Sequence, residues 1–266
     1  MTDPSALQIV LLVVLGLLAG AVNAVAGGGS LIVFPVLLGV GLPPLQANVT
    51  NSVAQWPGYI GSTLSARSDL AGQRRRATLT GIVAVLGSLV GCSLLLVLPA
   101  SVFDAIVPVL VLLASITLGF QPQLKRASAA AARRRQERQG IANEEAPEQR
   151  YGVLLPVTFV ACVYGGYFGG ALGVVLIAVL SLLVNDSLQR LNALKVLLSL
   201  LTATASVVVF AIFAPVDWFA VLLLAPSTLI GGYLGILVAK RMPDAVLRWS
   251  VVILGIAVAI YLFLRG

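Results

Sequence analysis

The sequence contains no histidine and only two cysteines, Cys92 and Cys162, both of which lie inside apolar runs. Histidine is the commonest general base and the commonest metal ligand in proteins. A lone cysteine in an apolar run is typical of a small packing residue. We therefore expect no cofactor and no metal site, and the chain offers little material for a catalytic centre.

Charge is also scarce, since charged residues make up 10% of the 266 residues against about a quarter in a soluble domain. Apolar residues make up 59% of the chain, and the mean hydropathy is +1.03. The apolar runs are 7–26, 29–41, 47–66, 77–98, 103–120, 152–168, 171–184, 191–213, 217–238 and 246–264. Because a membrane span needs about 20 apolar residues, this pattern predicts an all-α, polytopic transmembrane helical bundle with about 8–10 membrane helices.

Basic residues are concentrated in a few places. Of the 17 Lys and Arg residues, 16 fall in the regions 67–76, 125–150, 190–195 and 240–248. Cytoplasmic loops of membrane proteins collect Lys and Arg, so we expect these regions in the cytoplasm and both termini on the other side. The chain then divides into a first transmembrane repeat, 1–120, a basic cytoplasmic linker, 121–150, and a second repeat, 151–266. The charges of the linker are expected at the lipid surface rather than on nucleic acid.

Residues recur between the two halves at a nearly constant spacing. The pairs that lie 144 residues apart are Asn48 and Asn192, Gly87 and Gly231, Gly91 and Gly235, and Pro99 and Pro243. The pairs that lie 146 apart are Gly20 and Gly166, and Gly27 and Gly173. With all the basic regions in the cytoplasm, equivalent helices of the two halves cross the membrane in opposite directions. We therefore predict two inverted repeats. The segments 7–41 and 152–184 are expected to be hairpins, either fully spanning or partly re-entrant.

Three consecutive glycines, Gly27, Gly28 and Gly29, interrupt the first hairpin and weaken the helix there. Irregular backbone is tolerated in a bilayer only where protein buries it or where it lines a wet cavity. A new helix beginning at Gly29 or Ser30 would turn free N–H groups and its positive dipole end toward that cavity, an arrangement suited to an anion. The alternative is that the glycines only allow close helix packing.

Polar residues form a stripe on one helix face of each half. The first stripe comprises Asn48, Asn51, Ser52 and Gln55, and the second comprises Asn192, Lys195, Ser199, Thr202 and Ser206. Because a polar stripe facing lipid is costly, both should point into the protein. Interhelical hydrogen bonding explains Ser199, Thr202 and Ser206 better than substrate binding does. For Asn51, Gln55 and Asn192 the two explanations are equally good.

Lys195 aligns with Asn51 between the halves, so one charge and one amide could face a common cavity. An ammonium inside a span is costly unless it pairs or snorkels. The alternative to anion contact is therefore that Lys195 snorkels to the nearby cytoplasmic surface.

The motifs of both halves resemble those of the TauE/SafE sulfite exporter family of bacterial membrane transporters. The first half carries N-A-V-A-G-G-G-S-L-I-V-F-P from Asn23 to Pro35 and A-N-V-T-N-S from Ala47 to Ser52. The second carries Y-G-G-Y-F-G-G-A-L-G from Tyr164 to Gly173 and L-N-A-L-K from Leu191 to Lys195. It departs from the family at Val174 and Val175, where glycines are frequent. The resemblance implies movement of sulfite or organosulfonates, usually outward.

We therefore predict a secondary transporter in the bacterial cytoplasmic (inner) membrane that exports small sulfur-containing anions by alternating access between the repeats. The predicted binding residues are Asn23, Gly27, Gly28, Gly29, Ser30, Asn51, Gln55, Gly169, Gly170, Asn192 and Lys195. All ten acidic residues fall in loops, the linker or span ends, so export driven by the membrane potential, without proton coupling, is expected. The expected partners are the anion and the lipid bilayer, and a homo-oligomer is left open.

Two other functions are compatible with the sequence. One is a membrane assembly or scaffold protein, in which the glycines serve packing alone. The other is an intramembrane enzyme acting on lipid, for which the chain offers only hydroxyls and Lys195 at depth.

Overall fold

The chain folds as a bundle of α-helices in the computed structural model, which describes residues 6–25, 27–120, 122–123, 151–238 and 244–265. The helices of the first half are α1 (Ala6–Val25), α2 (Ser30–Gly39), α3 (Pro44–Ser65), α4 (Arg74–Val97) and α5 (Ala100–Gly119). Those of the second half are α6 (Tyr151–Tyr167), α7 (Leu172–Leu183), α8 (Leu188–Phe213), α9 (Trp218–Val238) and α10 (Asp244–Arg265). A 3-10 turn, Arg67–Leu70, precedes α4. The all-α prediction is confirmed, while the predicted linker lies outside the described residues except for 122–123.

Four helices in the described part of the chain are long and apolar enough to cross a membrane: α4, α5, α8 and α9. The second helix of each predicted hairpin is shorter. With 10 residues, α2 is about 15 Å long, and α7, with 12 residues, is about 18 Å long. Neither can cross a hydrocarbon core of about 30 Å. Each first helix is therefore followed by a helix too short to span on its own, which favours the partly re-entrant form of the predicted hairpins.

The two halves pack in equivalent pairs. Helix α1 lies along α9, and α6 lies along α4. Both pairs meet through small residues: a Cβ on Gly20 would strike the carbonyl oxygen of Thr228, and one on Gly166 would strike that of Ser88. Gly20 and Gly166 are one of the pairs spaced by 146 residues, so residues that recur in the sequence occupy equivalent contacts. That the repeats are inverted relative to each other stays a prediction.

The central helices are α3 and α8, which cross each other and carry the two polar stripes. Trp56 on α3 donates its indole N–H to Thr204 Oγ1 on α8 at 2.9 Å. The other flank of α3 packs on α9, and that of α8 packs on α4, while α5 and α10 pair at the periphery. Because the central pair is covered on these sides, its polar side chains are removed from lipid and face the junction between the halves.

Three charged side chains join the halves at one end of the bundle. Asp186, in the loop between α7 and α8, accepts from Arg76 at 2.8 Å and from Arg190 at 2.9 Å. Burial alone would raise the pKa of Asp186, but hydrogen bonds from Arg76, the Ser187 amide and Arg190 outweigh it and hold the pKa below its usual value. Two of the four basic regions therefore meet at the same end of the molecule.

Candidate functional site

The first helix break separates α1 from α2 at the predicted glycines. Gly27 has a φ of +80°, and a Cβ built there would lie 2.5 Å from Gly173 Cα. A Cβ built on Gly173 would in turn lie 2.6 Å from Gly27 Cα. Only glycine combines this backbone conformation with this close approach. The two glycines spaced by 146 residues in the sequence thus touch each other, and the breaks of the two halves meet at this contact.

At the first break, a side chain binds the backbone N–H that precedes α2. Asn23 Oδ1 accepts from the Gly29 N–H at 2.8 Å, one residue before α2 begins at Ser30. Asn23 Nδ2 donates to Gln55 Oε1 at 2.8 Å, and Gln55 Nε2 reaches Asn51 Oδ1 at 3.5 Å. The helix start was predicted correctly, but the expectation of free amides was wrong at Gly29. The hydrogen bond from Gly29 to Asn23 satisfies a backbone N–H that would otherwise be buried without a partner.

On the other side of the same break, Lys195 covers a carbonyl group at the end of α1. Its Nζ donates to the backbone oxygen of Ala24, near the end of α1, at 3.4 Å. The side chain is only 1% exposed. Lys195 therefore does not snorkel to the surface, and that alternative is excluded. The favourable interaction of an ammonium with the negative end of a helix explains why it can stay inside.

The second helix break, between α6 and α7, is held by different kinds of side chain. Gly169 has a φ of +75°, and Ala171 adopts the left-handed conformation at +55°. The Tyr164 hydroxyl donates to the Gly170 carbonyl, and the Phe168 ring packs edge-on against Phe34 with centroids 5.7 Å apart. Asn48 Nδ2 donates to the carbonyl oxygen of Tyr167 at 3.0 Å, at the end of α6. Aromatic packing and neutral hydrogen bonds hold this break.

A small cavity with several hydroxyl and amide side chains in its wall lies where both breaks meet the central helices. It is lined by Ser30, Ser52, Gln55, Tyr59, Gly165, Gly169, Leu172, Ser199, Thr202, Ala203 and Ser206. Its volume is about 20 Å³, and about 10–15 Å³ is enough to hold one water. Each half contributes its short-helix region and its central helix. The cavity therefore lies at the junction between the two halves and has room for one or two waters.

Two hydroxyls on α8 are buried at this cavity without a hydrogen-bond partner among the described residues. These are Ser199 Oγ and Thr202 Oγ1, on side chains that are 1% and 2% exposed. Ser206, by contrast, donates to the Thr202 carbonyl at 3.1 Å and lies 3.1 Å from Ser88 Oγ. Interhelical bonding thus accounts for Ser206, whereas Thr202 has only the weakly bonding Cys162 thiol beside it and Ser199 has no partner among the described residues. Unpaired buried hydroxyls are costly, and here they are available to a water or a solute.

The structure brings some of the predicted residues to the cavity and leaves others outside its wall. Ser30, Gln55 and Gly169 line it. Asn23, Gly29 and Asn51 stand behind Gln55 in the same hydrogen-bonded chain. The remaining predicted residues lie elsewhere: Gly27 against Gly173, Gly28 beside Leu118, Gly170 bonded to Tyr164, Asn192 half-buried on α8, and Lys195 against Ala24.

The binding residues predicted from the sequence did not include six that line the cavity: Ser52, Tyr59, Gly165, Ser199, Thr202 and Ser206. Four of these were on the two polar stripes, so periodicity detected them but did not assign them to the cavity. Tyr59 follows Gln55 by four residues on α3 and extends the same face. Continuing the stripe by one turn would have found it. No group of three metal-ligating side chains occurs in the described ranges.

A family model for the sulfite exporter TauE/SafE matches residues 12–262. The chain belongs to this family. It is 25% identical over 242 residues to a probable membrane transporter protein of Haemophilus influenzae, covering 90% of this chain and 88% of the relative. It is equally identical over 252 residues to the probable membrane transporter protein ORF9 of Sinorhizobium, covering 94% and 90%. A third relative is the probable membrane transporter protein YfcA of Escherichia coli, 25% identical over 232 residues, covering 85% and 77%. No solved structure matches the chain.

Family membership identifies the chain as a multi-pass membrane transporter with a small-molecule substrate. The resemblance noted in the sequence is confirmed.

Proposed function

We propose that this protein is a secondary transporter that exports small sulfur-containing anions, such as sulfite or organosulfonates, across the bacterial inner membrane. The observation that carries the proposal is the cavity between the two broken helices and the two central helices. Sites of this kind are typical of transporters built from repeats with discontinuous helices. The family name supplies the sulfur chemistry.

The donors around the cavity suit an oxyanion. Ser199 and Thr202 hold unpartnered hydroxyls, Gln55 has a side-chain amide in the wall, and Ser30 places the first turn of α2 there. Hydroxyl and amide groups can donate to the oxygens of sulfite or a sulfonate without covalent chemistry. Asn23 and Asn51 hold Gln55 in place, so we assign them a positioning role. Gly27 contributes the close contact between the breaks.

Transport requires the cavity to enlarge, because room for one or two waters does not hold an ion of several heavy atoms. We propose alternating access in which two inverted repeats move about the Gly27–Gly173 contact. Positive-inside orientation gives periplasmic termini and puts the Arg76–Asp186–Arg190 network at the cytoplasmic end. An interior-negative potential drives an anion outward by about 2.3 kcal/mol per charge per 100 mV, which provides the energy for export.

The test is flux into liposomes containing the purified protein, with sulfite, thiosulfate, sulfoacetate, taurine and simple carboxylates compared. We expect at least one sulfur oxyanion to move faster than the carboxylates and its flux to follow an imposed membrane potential. Flux that follows a pH gradient at zero potential would contradict the energetic part of the proposal. Absence of flux for every anion would favour the scaffold function instead.

Gln55→Leu provides the loss-of-function variant, because it replaces the amide in the cavity wall with an apolar side chain of similar size. Gln73→Leu is the control: Gln73 bonds the Arg190 carbonyl at the end of the bundle, away from the cavity. The proposed site requires flux to fall in the first variant and to persist in the second. Equal flux in both would exclude Gln55 from the site.

A further inference from the structure

The carbonyl end of α1 faces the interior of the protein at the first break. The last turn of a helix carries unpaired carbonyl groups and a partial negative charge. Here the helix ends at Val25, and the next described residue, Gly27, returns its N–H to the Val22 carbonyl at 2.9 Å. Lys195 Nζ donates to the Ala24 carbonyl at 3.4 Å, from a side chain 1% exposed. A positive charge of the chain itself therefore occupies the carbonyl end of a broken helix.

In transporters with discontinuous helices, the carbonyl ends of half-helices and the unwound carbonyls are where a coupling cation binds. We infer that the Lys195 ammonium takes the place of such a coupling cation, so that this transporter works without Na+ or any other bound alkali cation. A second cation at the same carbonyls would stand beside the ammonium and be repelled by it. The inference rests on the proposed transport function and adds to it the absence of Na+ coupling.

The second break shows what this position looks like without a charge. There the α6 carbonyl end, at Tyr167, receives the neutral amide of Asn48. The repeat equivalent of Lys195 is Asn51, 144 residues earlier, whose Oδ1 faces Gln55. Both breaks contain a glycine with positive φ, Gly27 in the first and Gly169 in the second, and among the described residues only the first has an ammonium at its carbonyl end. A general need of broken helices for a hydrogen-bond donor does not explain a charged donor at one of them.

The position of Lys195 also connects it to the cavity. Ser199 follows Lys195 by four residues on α8, one helical turn, and lines the cavity. Ala24 follows Asn23, whose side chain holds Gln55. A cation at the α1 carbonyl end is therefore about one helical turn along α8 from the proposed anion site.

The experiment compares Lys195→Ala, which leaves space for a small cation, with Lys195→Met, which fills that space with an uncharged chain. Sulfite flux into liposomes is measured in Na+, K+, methylammonium or N-methylglucamine salts. Wild-type flux should be the same in all four within twofold. Lys195→Ala should lose flux at least about tenfold in N-methylglucamine and regain it in Na+ or methylammonium, whereas Lys195→Met should lose flux and regain none. A tenfold change corresponds to about 1.4 kcal/mol.

A readout that does not depend on transport is thermal unfolding in detergent in the same four salts. Small cations should raise the midpoint of Lys195→Ala by about 3 °C or more over N-methylglucamine, and should not change wild type, Lys195→Met or Asn48→Ala. If Lys195→Ala does not fold in N-methylglucamine, its folded yield prepared in Na+ gives the same comparison. Equal yields would overturn the inference.

Wild-type flux that depends on Na+ would overturn the inference while leaving the transport function intact. Indifference of Lys195→Ala to every small cation would do the same. If wild type moves no anion but Lys195→Ala is stabilised by small cations, the proposed function fails and the assignment of Lys195 to the cation position stands.

Discussion

The two helix breaks each contain a glycine with positive φ, Gly27 in the first and Gly169 in the second, but different side chains satisfy their backbone groups. In the first, Asn23 caps the amide end and Lys195 covers the carbonyl end. In the second, the Tyr164 hydroxyl bonds the Gly170 carbonyl, and the Asn48 amide bonds the end of α6. The first break leads through Gln55 into the cavity wall, while the second provides backbone at Gly165 and Gly169.

The difference teaches that repeated segments need not carry equal shares of a site. A break in a helix must satisfy its exposed backbone groups, and several kinds of side chain can do so. Where those side chains are amides and a cation, they also create a polar environment for a solute. Where they are aromatic, they mainly fix the shape. The predictions below separate these two roles, beginning with the contact that both breaks share.

Substitution of Gly27 by valine should have the largest effect. The new Cβ would meet Gly173 backbone at 2.5 Å, and the φ of +80° is strained for any side chain. We expect a destabilisation of at least about 3 kcal/mol, combining backbone strain and overpacking. The measurement is the fraction of monodisperse protein after detergent extraction. Gly39→Ala is the control, because a Cβ there meets nothing within 4 Å, and an equally stable Gly27→Val would refute the tight contact.

Asn23→Leu should come next. It leaves the Gly29 N–H and Gln55 Oε1 without their partner, and each unsatisfied buried group costs about 1–3 kcal/mol. Unfolding should therefore occur at lower temperature, and anion flux should be lost. Asn23→Asp keeps the acceptor for Gly29 and should recover part of the helix cap. If Asn23→Leu were as stable as wild type, the cap would contribute nothing to the first break.

The cavity hydroxyls should affect flux more than stability. Ser199→Ala and Thr202→Val remove hydroxyls that have no partner among the described residues, so stability should stay the same or rise slightly. Flux should fall about tenfold for each if they contact the anion. Ser206→Ala tests the opposite case, since its hydroxyl bonds the Thr202 carbonyl: here stability should fall by about 1 kcal/mol. If all three variants changed flux and stability in the same way, a binding role for Ser199 and Thr202 would be contradicted.

Tyr164→Phe removes one hydrogen bond to the Gly170 carbonyl and keeps the ring. The expected loss is about 1 kcal/mol, smaller than for Asn23→Leu, because the aromatic packing of the second break remains. Thermal unfolding of the two variants side by side measures the comparison directly. A larger loss for Tyr164→Phe would reverse the assigned roles of the two breaks.

The smallest effect is expected at the Arg76–Asp186–Arg190 network, and only in acid. Since the folded pKa of Asp186 is below its usual value, the stabilisation is complete above the ordinary carboxylate pKa of about 3.9 and is lost as pH falls through the lower folded value. Wild type should thus become less stable in that acidic range, and Asp186→Asn should lack this part of the pH dependence. Measurement is by thermal midpoint against pH; identical curves would show that the network contributes nothing.

Much of this architecture could be read from periodicity and composition. The ten apolar runs correspond to the ten helices found among the described residues, and the glycines at 27–29 mark the interval between Val25 and Ser30. Polar residues at helical spacing located the inner faces of α3 and α8. Ser199 and Thr202 were assigned to interhelical bonding because spacing says which face a hydroxyl is on but not whether a partner stands opposite it.

Lys195 is a second case in which the sequence indicates the position of a side chain but not its partner. Sequence put an ammonium inside a span and left anion contact and snorkelling open, since both depend on what lies within a few ångströms across the junction. The carbonyl of Ala24 is 171 residues away along the chain, and no local pattern relates the two.

By itself, the sequence determined the class of protein, the positions of its helices and the places where they break, because hydrophobic runs and glycines act locally on backbone and solvent. Only the tertiary structure decided which polar groups satisfy each other and which are left for a solute. Those pairings arise where elements distant in the chain meet, and their energies depend on contacts of a few ångströms.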